Sequence, residues 1–277
     1  MGSAAAENIH LIVGDPEEDD DQDVEPIAKE YYERVKFGKS ATCESAIFFS
    51  KGLITSSSDG LIEVWDGRYS DLNTSDFAFQ KDSVMGHSSS VLCMTLSNDS
   101  ELLASGDDTG RVKVWKLANG KCLRQYQAHD GSPVTCLDLS RDSSRLLTAS
   151  SDGTCREFGL VSQTILQEYN GHTSYIHHCS YFIEWNGTDA TSWVVTGSAD
   201  GTVRLWQKGQ CIRILQPRSK TKSFVVDETT LLTENPAIHT ILAIPNNENQ
   251  ILVVPRSNTA YLLTLDGTVL QSYSSST

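Results

Sequence analysis

The sequence is poor in positive charge. Its 277 residues hold 22 Lys and Arg against 36 Asp and Glu, a formal net charge of −14 at pH 7. Sequence-specific binding of nucleic acid rests on a basic surface that neutralises phosphates, and this composition speaks against one. Long apolar runs are also missing. No stretch approaches the ~20 apolar residues of a membrane-spanning helix. The amino terminus, MGSAAAENIHLIV, carries no basic residue ahead of its short apolar stretch, so it does not read as a secretory signal. Among seven cysteines there is no Cys-x-x-Cys pair. That spacing argues against a zinc site or a disulfide framework and points to reduced thiols in an intracellular protein.

The negative charge is unevenly placed. Residues 1–36 contain eleven acidic residues and three basic ones. The run Glu17–Asp23 repels itself and offers no apolar side chain to bury. The expectation is a largely disordered acidic segment over 1–36, serving as a solubilising linker or as an arm for a basic partner. The remainder, 37–277, reads as one domain. Apolar residues make up 39% of the chain, enough for a real core.

What fills 37–277 is a unit repeated every forty-odd residues. Its strongest copies start at His87, His129 and His172, spaced by 42 and 43. After each His comes a short run (VLCMTLS, VTCLDLS, IHHCSYF), a polar turn, a second apolar run (LLASG, LLTAS, VVTGS) and a tight turn (DTG, SDG, ADG). Each closes on a third strand ending at Trp115, Phe158 or Trp206. Repeats of this length, built from short β runs with a His start and an aromatic finish, mark a WD-repeat β-propeller. An earlier unit without the His ends in SSDGLIEVWDGR, and a degraded fifth unit follows Pro236. Five blades are therefore expected in an all-β fold.

The recurrent polar residues are His87, Ser105, Asp108 and Trp115; His129, Thr148 and Asp152; and His172, Thr196, Asp200 and Trp206. A catalytic triad occurs once, at a pocket, whereas this set recurs blade by blade. It reads as a structural network in which the Asp accepts from the His ring, the His meets the hydroxyl, and the hydroxyl meets the indole N–H. Phe158 has no N–H, so the third network should stop at Thr148. In the second unit the turn reads DDTG, so Asp108 is shifted one place from Gly110. Gly60, Gly110, Gly153 and Gly201 follow the turn acids and should supply positive φ. Cys93, Cys136 and Cys179 are spaced by 43 and 43, which assigns them to one position of the repeat; Cys122 and Cys211 share another. Arg156 and Arg204 are expected to pair with acids between blades. The fourth unit is longer, with an insertion near Trp185–Ser192. With its functional-looking residues all repeated, the chain reads as a non-enzymatic scaffold with no cofactor or metal. Propellers commonly bind through the turns of one rim, which singles out Ser58, Asp108, Ser151 and Ala199 by position.

Several stretches resemble one family beyond the generic repeat. They are FGKSATCESAIFFS, SDGLIEVWD, SVLCMTLSNDSELLASG, GRVKVWKLANGKCLRQYQAH, VTCLDLSRDSSRLLTAS and PRSNTAYLLTLDGTVLQSYSSS. They look like the WD-repeat splicing factor called "suppressor of mec and unc", the partner of the RED protein, over most of 37–277. The resemblance implies a nuclear, non-enzymatic scaffold of the precatalytic spliceosome with a RED-like protein partner. That family has a long helical amino-terminal region with a dimerisation motif, where here about 36 acidic residues precede the first unit. Its propeller has seven blades. Five recognisable blades of an expected seven imply an open or incomplete ring, one that a second chain could complete. A competing reading comes from Leu53–Arg68 (LITSSSDGLIEVWDGR), which fits the box by which substrate receptors dock on a cullin-RING ubiquitin ligase. There Asp66 and Arg68 would make the charged contacts with the adaptor.

Overall fold

The computed structural model describes residues 42–50, 52–66, 87–185, 190–217, 225–226, 235–244 and 249–274. The acidic segment 1–36 and Arg68, for which the sequence set expectations, lie outside these residues, as does the side chain of Asp66. Among the described residues every regular element is a strand.

The strands form five antiparallel sheets, each built from consecutive segments. Blade 1 holds β1 (Cys43–Phe49), β2 (Gly52–Ser57) and β3 (Ile62–Asp66). Blade 2 holds β4 (Val91–Leu96), β5 (Leu102–Asp107), β6 (Arg111–Lys116) and β7 (Lys121–Gln127). Blade 3 holds β8 (Val134–Leu139), β9 (Arg145–Ser150), β10 (Cys155–Gly159) and β11 (Ile165–Tyr169). In blade 4, β12 (Ile176–Trp185), β13 (Ala190–Ser198), β14 (Val203–Gln207) and β15 (Gln210–Leu215) are joined by the two-residue β16 (Val225–Val226). Blade 5 holds β17 (Ile238–Ala243), β18 (Gln250–Pro255), β19 (Thr259–Thr264) and β20 (Val269–Ser274). The arrangement is that of a WD-repeat β-propeller with five blades. The insertion in the fourth unit lengthens one hairpin: β12 and β13 stay paired out to Trp185 and Ala190.

The first strand of each blade packs on the first strand of the next, β1 on β4, β4 on β8, β8 on β12 and β12 on β17. Among the described residues the hydrophobic core accordingly falls into four clusters, one between each consecutive pair of blades. Ile54 and Ile62 meet Met94, Leu103 and Trp115 between blades 1 and 2. Val112 and Tyr126 meet Leu137, Leu146 and Phe158 between blades 2 and 3. Leu147 and Tyr169 meet Ile176, Val194 and Trp206 between blades 3 and 4. Val195, Val203 and Leu205 meet Ile238, Ile251 and Leu263 between blades 4 and 5. A sheet with two buried faces needs apolar residues on both, and the runs of buried positions in β5, β6 and β9 supply them.

Every first strand carries the same defect. The pairing register slips once, at Cys43/Ser45, Val91/Cys93, Val134/Cys136, Ile176/His178 and Ile238/Thr240. One residue per blade is thereby left out of the ladder: Glu44, Leu92, Thr135, His177 and His239. Such bulges bend a strand and re-aim its side chains. The bulge also corrects the reading of the cysteines. Cys93 and Cys136 are the first residues after their bulges, opposite Gly106 and Ala149, but Cys179 sits one step further on, opposite Thr196, and His178 takes the Cys136 position. The equal spacing misleads because one extra residue separates His129 from Val134, compared with His87 to Val91 or His172 to Ile176.

Candidate protein-binding rim

Three of the rim turns are built on the His–hydroxyl–Asp network. In blade 4, His172 Nδ1 lies 2.8 Å from Asp200 Oδ2, His172 Nε2 lies 2.8 Å from Thr196 Oγ1, and Trp206 Nε1–H donates to the same Oγ1 at 2.8 Å. Blade 3 has the first two links, His129 to Asp152 and to Thr148, both at 2.9 Å. In blade 2, His87 Nε2 is 2.7 Å from Ser105 Oγ, which accepts from Trp115 Nε1 at 2.8 Å. The three imidazoles are buried, and burial holds each below the ordinary imidazole value, although the Asp partners pull the other way. A neutral ring with its proton on Nδ1 then donates to the carboxylate and accepts the hydroxyl proton at Nε2, so every polar atom of the set is satisfied.

Blade 2 corrects the expectation for Asp108. The carboxylate that meets His87 belongs to Asp107, at 2.8 Å. Asp107 closes β5 opposite Val91, the place held by Ser150 and Ser198 in the next two blades. The turn position that carries Asp in blades 3 and 4 is Thr109 here; its neutral hydroxyl is a weaker acceptor than a carboxylate and is spent on Asp107 Oδ1 at 2.6 Å. Asp107 therefore reaches His87 from the end of the strand and takes Thr109 N–H and Arg111 N–H on its other oxygen, at 3.0 and 2.9 Å. Burial alone would raise its carboxyl, but the hydrogen bonds from His87 and Thr109 outweigh that and hold it below the usual range. Asp108 Oδ1 is buried with no partner.

Each turn then fastens to the next blade. Gly110 has φ +83°, its carbonyl accepts Ala128 N–H and His129 N–H at 2.9 and 3.0 Å, and a Cβ there would collide with the His129 carbonyl. Gly60 (φ +88°) faces the His87 carbonyl in the same way, 2.7 Å from where its Cβ would stand. Arg156 does not pair between blades. Its Nε–H donates to Glu168 on the adjacent strand of its own blade at 3.0 Å, and its Nη1 donates to the Ala128 carbonyl.

The candidate contact positions Ser58, Asp108, Ser151 and Ala199 are equivalent in backbone terms. Each N–H donates to the carbonyl just ahead of its blade's first strand, Thr42, Ser90, Pro133 and Tyr175 respectively, at 2.9–3.1 Å. The same bond, Arg256 N–H to Ala237 O at 2.7 Å, adds a fifth member from blade 5. The sequence did not reveal Arg256, because the fifth unit lacks both the His and the turn Asp that set the alignment. Beside it lie the bulge residues of blades 4 and 5. Tyr175 stands edge-on to His177 at 4.7 Å, and His177 stacks with His239 at 6.1 Å. Burial lowers His177, and the charges of Arg256 and His239 lower it further. The four contact positions of blades 1 to 4 thus carry small or acidic side chains, while an exposed Tyr175 stands ahead of β12 in blade 4 and an exposed Arg256 follows β18 in blade 5. In the ligase-box reading, Thr55 and Ser56 are both buried, and the Ser56 hydroxyl is spent on the Val91 carbonyl of blade 2 at 2.9 Å. Among the described residues no group of three or more His, Cys, Asp or Glu side chains is placed to hold a metal ion.

These features define a WD-repeat β-propeller, a fold that typically serves as a non-enzymatic scaffold for protein interactions. The WD domain, G-beta repeat model matches residues 79–116, 120–158 and 163–207. Among curated proteins, periodic tryptophan protein 2 of Arabidopsis thaliana is 39% identical over 70 residues, which is 25% of this chain and 7% of that protein. Human apoptotic protease-activating factor 1 is 47% identical over 38 residues, 14% of this chain and 3% of that one. The human DDB1- and CUL4-associated factor 4-like protein 2 is 38% identical over 45 residues, 16% and 11% of the two chains. Each match spans a small part of the relative's length. Among solved structures, U3-55K superposes with a TM-score of 0.68 at 19% identity, over 86% of this chain and 66% of that one. At that identity the likeness is one of fold.

Proposed function

We propose that this scaffold is a pre-mRNA splicing factor of the precatalytic spliceosome, nuclear, with a RED-like protein as partner. The observation that carries this reading is the set of family-like stretches more specific than the repeat signature. VKVWKLANGKCLRQYQ becomes β6 and β7, and PRSNTAYLLTLDGTVLQSYS becomes the end of β18 with β19 and β20. The partner-facing residues in this reading are the rim positions Ser58, Asp108, Ser151 and Ala199, extended by Arg256. Affinity purification of the full chain from nuclear extract tests it. Spliceosomal proteins should co-purify, and Arg256→Glu should reduce their recovery while leaving the melting temperature unchanged. Recovery of a ligase adaptor and cullin in their place would overturn it.

The second reading, a substrate receptor for a cullin-RING ligase docking through Leu53–Arg68, is favoured by the short similarity to the DDB1- and CUL4-associated factor. The same purification with Asp66→Ala and Arg68→Ala separates the two, since those changes should release an adaptor and leave spliceosomal partners bound.

A further inference from the structure

The inner strands of blades 3 and 4 bring together groups that the scaffold role does not use. Cys136 follows the bulge of β8 and is partly exposed. Cys179, on β12, is buried and faces back toward blade 3 in the cluster with Leu147, Ala149 and Cys155. The Cys136 thiol donates to the Cys179 carbonyl oxygen at 3.5 Å and its sulfur lies 3.9 Å from His178 Nδ1, and its side chain packs against the cluster that holds Cys179. His178 Nδ1 is also 3.5 Å from Thr240 Oγ1 of blade 5. Asp138, two residues beyond Cys136, accepts Tyr181 N–H at 2.7 Å and the Ser180 hydroxyl at 3.1 Å. Cys155 pairs with Cys179 as well, from within blade 3, and Cys93 lies within electrostatic reach of Cys136.

We propose that Cys136 is a thiol-modification site, oxidised by hydroperoxides and resolved by Cys179 into a reversible disulfide between blades 3 and 4. Thiolates react and thiols do not, so the two sulfurs must differ. They do. Pairing with the Cys179 side chain draws the Cys136 thiol well below its usual value, and the nearby His178 assists against the effect of burial. Burial and the same pairing push Cys179 well above. His178 is raised despite burial, because the Cys136 charge favours its protonated form. Asp138 is pushed up to about 6, chiefly by burial.

The chemistry balances in two steps. The Cys136 thiolate attacks one oxygen of the hydroperoxide; the S–O bond forms, the O–O bond breaks, and the leaving oxyanion takes its proton from the His178 imidazolium. The Cys179 sulfur then attacks the Cys136 sulfenic acid; the S–S bond forms, the S–O bond breaks, and water leaves with the thiol proton. The peroxide is reduced by two electrons and the two thiols are oxidised by two.

Trypsin places the three neighbouring thiols on separate peptides: Cys136 on Gln125–Arg141, Cys155 on Leu146–Arg156 and Cys179 on Glu157–Arg204. The full chain treated with hydrogen peroxide at pH 7, alkylated and digested should yield Gln125–Arg141 joined to Glu157–Arg204, released by reductant. Cys179→Ser should abolish the link and leave Cys136 as a sulfenic acid that dimedone captures. His178→Gln should slow Cys136 oxidation by about tenfold or more. Oxidation of the exposed Cys43 and Cys211 while Cys136 stays reduced would overturn the proposal, as would a link through Cys155. The wild-type digest decides even where a variant fails to fold.

Discussion

Blades 3 and 4 start from the same plan and finish it differently. Both place a buried His between an Asp and a Thr hydroxyl. In blade 4 the hydroxyl also receives the Trp206 indole N–H, and Asp200 accepts Thr173 N–H at 3.1 Å. In blade 3 Phe158 has nothing to donate, and the Thr148 hydroxyl lies 3.4 Å from the Arg156 carbonyl. The Asp152 side chain is 23% exposed against 8% for Asp200. The pair shows that the His–Asp–hydroxyl part is what the turn needs to hold its shape. The aromatic donor is an addition that couples the turn to the far end of the third strand.

Acid should test all three networks at once and give the largest effect. His87, His129 and His172 are held below the free-imidazole value by burial. A depressed folded value means the unfolded chain takes up protons first. Stability from these groups is complete above about pH 6.5 and is lost as pH falls below it. Asp107, Asp152 and Asp200 are also depressed, so their contribution is complete above about pH 4 and goes as pH falls further. His178, raised by Cys136, and Asp138 and Glu63, raised by burial, take up protons first in the folded chain and oppose this loss. In a chain carrying His178→Gln, Asp138→Asn and Glu63→Gln, which removes all three, the melting temperature should decline steadily from pH 7 to pH 4. A curve flat down to pH 4.5 would show that the imidazoles are not held neutral by the fold.

Next in size is removal of the carboxylate. Asp200→Ala leaves His172 and Thr173 N–H without their acceptor in a nearly closed site and should cost about 1–3 kcal/mol. Asp152→Ala removes fewer bonds from a wetter position and should cost less. Denaturant titration of both variants checks the order, and equal losses would refute the claim that burial and the additional Thr173 bond distinguish the two blades.

The contrast was partly legible in the residues themselves. His129 with Thr148 and Asp152, and His172 with Thr196 and Asp200, recur at spacings that one hairpin geometry imposes, and Phe158 announced its missing donor. Blade 2 was not legible in this way. DDTG contains two carboxylates, and only the end of β5 decides which one meets His87. The bulges were invisible because a residue omitted from a ladder leaves no mark in polarity. That is why Cys179 was aligned with Cys136, and why His177, His239 and Arg256 did not stand out.

Turning blade 4 into blade 3 should cost less again. Trp206 is almost fully buried and stands edge-on to Tyr169 at 5.7 Å. Trp206→Phe removes the bond to Thr196 and part of a ring from a packed interface, a loss of about 1–2 kcal/mol. Because His172 keeps both partners, proteolysis at the Asp200 turn should stay as slow as in the wild type. Faster cleavage there would mean that the indole holds the turn as well as the strand.

The reverse change, Phe158→Trp, should have the smallest effect, and its sign is the sharper test. The register is the same in both blades: Arg156 lies opposite Thr148 as Arg204 lies opposite Thr196. A new indole N–H would point at Thr148 Oγ1 as the native one points at Thr196 Oγ1. The neighbour is also the same, a Tyr from the fourth strand of the preceding blade, opposite Val112 for Tyr126 and opposite Cys155 for Tyr169. The two pairs differ in tilt. Tyr126 and Phe158 lie at 35° and 5.5 Å, Tyr169 and Trp206 at 63° and 5.7 Å. Admitting the larger ring requires Tyr126 to turn toward the edge-on arrangement, which weakens its long 3.4 Å bond to the Leu160 carbonyl. A gained hydrogen bond of about 1 kcal/mol stands against a small repacking cost, so the melting temperature should hold or rise slightly. A drop of more than about 4 °C, on the order of 1 kcal/mol or more for a chain of this size, would mean that blade 3 is shaped around phenylalanine and that its shorter network is built in.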